Sequence, residues 1–122
     1  MKPGVRFHIR DRVKRSDPAI GPGKIALLEA ISRTGSITAA AKLLGMSYRR
    51  AWLLVDETNR CLVRPAVQTI AGGERGGGTS LTPAGAQLVQ RYRAVERQIS
   101  SAVTRQLKPL LRDIGHRRHN EK

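Results

Sequence analysis

The chain has 122 residues, and its 23 Lys and Arg outweigh 9 Asp and Glu to give a formal net charge of +14. A chain of this length suits one domain that buries about two-thirds of its unfolded surface, and a hydrophobic content of 39% excludes a wholly disordered basic tail. No apolar run reaches the roughly 20 residues of a membrane-spanning helix, the charged start MKPGVRFHIRDRVKR predicts no secretory leader, and the single Cys61 excludes an internal disulfide; a cytoplasmic protein without a membrane partner is expected.

Residues 5–10 alternate apolar and polar, the period of a half-buried strand. Residues 11–23, with Pro18, Pro22 and several charges, read as a loop. From Lys24 the period lengthens: Ile25, Leu27, Leu28 and Ile31 make a helical face that Gly35 closes. Ser36 caps the next helix, in which Ile37, Ala40, Ala41 and Leu44 fall at i, i+3, i+4 and i+7 before Gly45 ends it. Ser47 caps a third helix, with Tyr48, Ala51, Trp52 and Val55 at the same offsets.

Residues 63–70 read as an edge strand interrupted by Pro65, residues 72–78 as a glycine-rich loop, and residues 79–82 as the returning strand of a hairpin. Thr82 and Pro83 start a last helix. Its apolar column, Leu88, Tyr92, Val95, Ile99, Val103, Leu107 and Leu110, would extend roughly 37 Å from Pro83 to Leu107. Pro109 is expected to bend or end that helix. Residues 1–111 would then form one domain and residues 112–122 a basic polar tail.

The charge points to a polyanion, because neutralising phosphates and releasing their counterions takes many cations. Phe7, Tyr48, Trp52 and Tyr92 are the only aromatic rings outside histidine, too few for the stacking platforms of single-strand and RNA binders. Double-stranded DNA is the expected partner. Helix, glycine turn and helix outline a helix-turn-helix, with Ala41 small at the crossing and Gly45 free to take positive φ. The hairpin that follows would make it a winged helix-turn-helix: mainly α with a small β-hairpin and a long C-terminal dimerisation helix.

On that reading residues 47–58 are the recognition helix, with Trp52 in the core and Tyr48 packed below it, its hydroxyl within reach of a phosphate. Arg50, Leu53 and Glu57 lie on the opposite side, flanked by Arg49 and Leu54. Base edges fall to Ser47, Arg49 and Arg50; the DNA backbone and wing contacts fall to Lys42, Tyr48, Arg75, Gly76, Gly77 and Thr79. The apolar column of the last helix exceeds what one small body covers. A homodimer through Leu88, Tyr92, Val95, Ile99, Val103 and Leu107 is therefore expected, on an inverted repeat; the competing reading has this helix cover its own N-terminal strand.

Nothing suggests an enzyme. No Ser/His/Asp set or carboxylate pair emerges, a phosphate-binding loop fails because Gly78 stands where its lysine must be, and His116 and His119 read as a solvated tail rather than a metal pair. No cofactor is expected. The rival to a sequence-specific regulator is a sequence-tolerant architectural DNA-binding protein, and a third class is a protein-binding adaptor.

Gly21-Pro22-Gly23-Lys24, Thr34-Gly35-Ser36-Ile37 with Ala40-Ala41, Gly45-Met46-Ser47-Tyr48-Arg49-Arg50-Ala51-Trp52, the glycine run at 72–78, and Leu81-Thr82-Pro83 with Gly85 together resemble the DNA-binding domain of ModE-type molybdate-responsive regulators. The resemblance covers roughly residues 5–99. It implies a bacterial, dimeric winged helix-turn-helix transcription factor of molybdenum-related genes, with Arg49 and Arg50 on the recognition helix and Arg75 in the wing, where the family usually has lysine. Full-length members continue into C-terminal modules that bind molybdate. This chain ends at Lys122 without them, so it resembles a stand-alone N-terminal domain and direct molybdate binding is not expected of it.

Overall fold

A computed structural model describes residues 4–10, 20–70 and 78–120, with side chains only as far as Asp113 in the last stretch. Six elements follow in order: α1 (Pro22–Thr34), α2 (Ile37–Leu44), α3 (Tyr48–Cys61), β1 (Val67–Ile70), β2 (Gly78–Leu81) and α4 (Pro83–Asn120). This is the mainly helical architecture with one antiparallel hairpin that the periodicities predict.

Local chemistry sets the boundaries. α1 begins at Pro22, two residues before the expected Lys24, because a proline at the first helical position has no N–H to leave unsatisfied. It stops at Gly35, whose φ of 72° turns the chain and whose N–H donates to the Ile31 carbonyl at 2.8 Å. The Ser36 hydroxyl then accepts from the Ala39 N–H at 3.1 Å and starts α2, which ends at Gly45 with φ of 68°. The Ser47 hydroxyl accepts from the Arg50 N–H at 3.1 Å and starts α3.

α1 is the centre of the fold. Ile25, Leu27, Leu28 and Ile31 are fully buried, and Ala40, Ala41, Ala51, Val55, Val67 and Tyr92 complete the core around them. The two glycine-turned corners bring α2 and α3 against α1, where buried alanines let the backbones approach closely. Gly85 in the first turn of α4 permits a similar approach: a Cβ there would stand 2.1 Å from the Ala66 carbonyl oxygen. The hairpin pairs Val67 with Leu81 and Ile70 with Gly78.

Several expectations change. The N-terminal strand reduces to one antiparallel bridge between Ile9 and Ile20, although Val5 and Phe7 keep the alternation by being half-buried between exposed neighbours. Residues 11–19 of the expected loop lie outside the described residues. The edge strand starts only at Val67, because Pro65 cannot donate to a ladder and the Asn59 side chain takes the next two N–H groups. α4 does not end at Pro109: it runs on to Asn120, 38 residues or about 57 Å. The hydrogen bond that Pro109 cannot make would go to the carbonyl of Arg105, and both residues are exposed, so water can serve that carbonyl.

Tyr92 is the clearest correction to the expected dimer contacts. It is 3% exposed within a single chain. Its ring stacks on Phe7 with centroids 4.1 Å apart and planes at 12°, and its hydroxyl donates to the Phe7 carbonyl. Burial pushes its phenol above the ordinary range. At this turn α4 covers its own N-terminal segment, as the competing reading of this helix has it, through a contact between residues 85 apart in sequence.

The next residue locks α4 onto α1. Arg93 donates from Nε to Glu29 Oε2 at 3.0 Å and from Nη2 to Glu29 Oε1, a two-pronged pair, while Nη1 reaches Glu96 Oε1 at 2.8 Å. These bonds hold the Glu29 carboxyl below its usual value of 4.5. A depressed carboxylate contributes stability above its unfolded value and loses it as pH falls through the folded one. Glu29→Gln is therefore expected to cost about 1 kcal/mol in urea unfolding at pH 7. The difference from wild type should shrink as pH falls below 4.5 and disappear once Glu29 itself is protonated through its lowered value.

Candidate nucleic-acid interface

α3 follows α2 across the Gly45 corner and presents one face to the core. Ala51, Val55 and Thr58 are buried there, with Leu54 packed beside them and the Thr58 hydroxyl returned to the Leu54 carbonyl at 2.7 Å. At about 100° per residue, this centres the buried stripe on Ala51 and Val55 and carries Trp52 about a quarter-turn off it. Trp52 is accordingly 48% exposed and Tyr48 54% exposed. The core placement expected for Trp52 does not hold, and Leu54, expected on the outer side, takes up core contact instead. The cause is phase: Leu53-Leu54-Val55 offers apolar side chains in adjacent directions, and the fold uses Leu54 and Val55.

Trp52 and Tyr48 line an open cavity of about 250 Å³, walled also by Ile37 and Thr38 at the start of α2 and by Thr69 and Thr79 of the hairpin. The aromatic flank of α3 therefore faces the space between the helix pair and the wing. Thr79 fixes that space, since its N–H donates to the Gly35 carbonyl at 2.9 Å and lays β2 against the corner between α1 and α2.

The outer face of α3 is divided electrostatically. In its second half, Arg60 pairs with Asp56 at 2.7 Å and Glu57 reaches back to Lys24 of α1 at 3.3 Å. In its first half, Arg49 and Arg50 are exposed and neither has an ion-pair partner among the described residues. Ser47 is exposed beside them; its oxygen is engaged as the cap acceptor, which leaves its O–H free to donate. Lys42 of α2 is also exposed. Among the described residues, cations without an ion-pair partner thus gather at the N-terminal end of α3, where two guanidinium forks can reach acceptors on a polyanion.

Arg75, Gly76 and Gly77, expected at the tip of the wing, lie outside the described residues. Along α4, Leu88, Ile99 and Val103 are half-buried, while Val95 and Leu107 are exposed in the single chain. Among the described residues no group of three or more His, Cys, Asp or Glu could hold a metal ion, and no helix is long and apolar enough to cross a membrane.

Asn59 is the functional support that sequence reasoning missed. Its Oδ1 accepts from Ala66 N–H at 2.8 Å and Val67 N–H at 3.1 Å, and its Nδ2 donates to the Val67 carbonyl at 3.3 Å. One side chain therefore fastens the last turn of α3 to the root of the hairpin. Thr82 fastens the other root, donating to the Pro65 carbonyl and accepting from Gly85 N–H at 3.1 Å. The one available sign was an Asn shortly before a segment whose backbone N–H groups lack helix or ladder partners.

No protein-family model matches the chain. It is 42% identical over 92 residues to the molybdenum-pterin-binding protein MopB of Rhodobacter capsulatus, covering 75% of this chain and 34% of that protein. It is 46% identical over 87 residues to the molybdenum transport protein ModE of Azotobacter vinelandii, covering 71% and 32%. Over 71 residues it is 41% identical to the DNA-binding transcriptional dual regulator ModE of Escherichia coli K12, covering 58% and 27%. The chain spans about a third of the length of these relatives.

Trp52 is the only tryptophan in the sequence and so reports on this face alone. Its emission is expected to be red-shifted and readily quenched by acrylamide in the free protein. A blue-shifted, quencher-resistant emission would contradict the exposed indole.

Proposed function

The chain is a ModE-like domain, and from that premise we propose that it is a cytoplasmic winged helix-turn-helix regulator of transcription, binding double-stranded DNA as a homodimer on an inverted repeat near molybdenum-related genes. The observation that carries this reading is the pair Arg49 and Arg50, exposed and without ion-pair partners among the described residues, at the capped start of α3. That end of a recognition helix meets base edges in the major groove, and a guanidinium there pairs bidentately with guanine O6 and N7. Ser47 adds a hydroxyl donor at the same end. Lys42, Tyr48 and Thr79, with Arg75, Gly76 and Gly77 of the wing, would hold sugar and phosphate and set the register.

The relatives named as transcriptional regulators support regulation rather than enzymatic turnover, and those named for molybdenum support the class of genes. The exposed Val95 and Leu107 on α4 favour a second copy as their cover. A twofold pairing would set two recognition helices about 34 Å apart, one helical turn of DNA. The net charge of +14 also favours a second reading, a sequence-tolerant architectural protein whose affinity comes from phosphates alone.

Selection from a pool of random duplexes separates the two readings: a reproducible palindrome supports the regulator, and recovery of no common sequence supports the architectural protein. On the selected site, Arg50→Ala is expected to lose about 10- to 100-fold of discrimination against random duplex, the worth of one bidentate base contact. Arg75→Ala should weaken selected and random duplexes alike. Equal losses on both duplexes for Arg50→Ala would refute its assignment to base reading. Sedimentation of the wild type should give a dimer, and the double replacement Val103→Asp with Leu107→Asp should give a folded monomer with much weaker binding to the palindrome.

A further inference from the structure

Leu53 stands on α3 four residues after Arg49 and three after Arg50, 43% exposed. At about 100° per residue, it points away from the face that Ala51, Val55 and Thr58 bury. Its direction also differs from that of Tyr48 and Trp52, which look into the cavity beside the hairpin. The core does not need it, because Leu54 and Val55 already fill the inward positions. An apolar side chain left in water forgoes about 0.8 kcal/mol for each methylene it could bury.

The line Arg49, Arg50, Leu53 therefore asks for a ligand that offers hydrogen-bond acceptors and, a few ångströms away, an apolar group. The major groove has both. Guanine presents O6 and N7, and thymine presents a C5-methyl that projects into the groove, where cytosine carries only hydrogen. Phosphate contacts would leave a leucine unmatched in this position, since phosphate presents anionic oxygens. Resting on the DNA-binding reading above, we propose that Leu53 is a specificity-determining residue that packs on a thymine 5-methyl group, adjacent to the base pairs met by Arg49 and Arg50.

Replacing thymine by uracil removes that methyl and keeps the base pairing. The duplex recovered by selection is remade with each thymine changed singly to uracil, and affinities are measured for wild type, Leu53→Ala and Leu53→Asn. Wild type is expected to lose about fourfold at one thymine of the half-site, the effect of one buried methyl. Both variants should bind the thymine and uracil forms equally, while keeping their discrimination at the base pair lost in Arg50→Ala. Because the side chain is outside the core, both should melt with wild type, and Leu53→Asn preserves most of the volume. The proposal is overturned if the selected half-site has no thymine, if no thymine in it is sensitive to uracil, or if the sensitivity persists in Leu53→Ala. Failure of the wild type to bind any duplex is a different result and removes the DNA-binding reading itself.

Discussion

Burial of α1 is the constraint on which the other elements depend. Six of its 13 residues are buried, among them four large aliphatic side chains with almost no exposed surface. A helix apolar over that much of its circumference cannot lie on a surface; it has to be enclosed. α2 and α3 enclose it from one direction by way of two left-handed glycine corners, β2 lies against the corner at Gly35, and α4 reaches it through Arg93 and Glu29. The position of α3 is thus a by-product of covering α1, and its outer face is free of that duty.

That freedom explains the division of charge on α3. The half of the helix nearer α1 and the hairpin has its charges committed, Glu57 to Lys24 and Asp56 to Arg60. The half that starts at Ser47 keeps Arg49 and Arg50 without ion-pair partners among the described residues. Like charges placed together at a helix start run against the helix dipole. The Ser47 cap, and the enclosure of α1 by Ala51 and Val55 one turn later, hold the helix in place despite them.

What the sequence disclosed follows from how local each signal is. Gly35, Ser36, Gly45, Ser47 and Thr82 act on their immediate neighbours, and each marks a corner or a helix start in the structure. The rotation of α3 was illegible because Tyr48, Trp52, Leu53, Leu54 and Val55 are apolar in nearly every direction, so several stripes fit the same spacing. Only packing against α1, where small Ala51 sits deepest, chooses among them. Tyr92 belongs to an unbroken apolar column, yet its partner Phe7 lies at the other end of the chain. Asn59 carries no periodic signal at all, because its value lies in backbone groups seven and eight residues away.

Asn59 and Thr79 have a mechanical consequence. The first clamps one strand of the hairpin to the end of α3, and the second ties the other strand to the corner where α1 meets α2. With both rails tied, the described strands of the ribbon are held at a set spacing from the arginine end of α3. On the DNA-binding reading proposed above, a duplex that meets both edges at once would be selected by its groove width as well as by its chemistry.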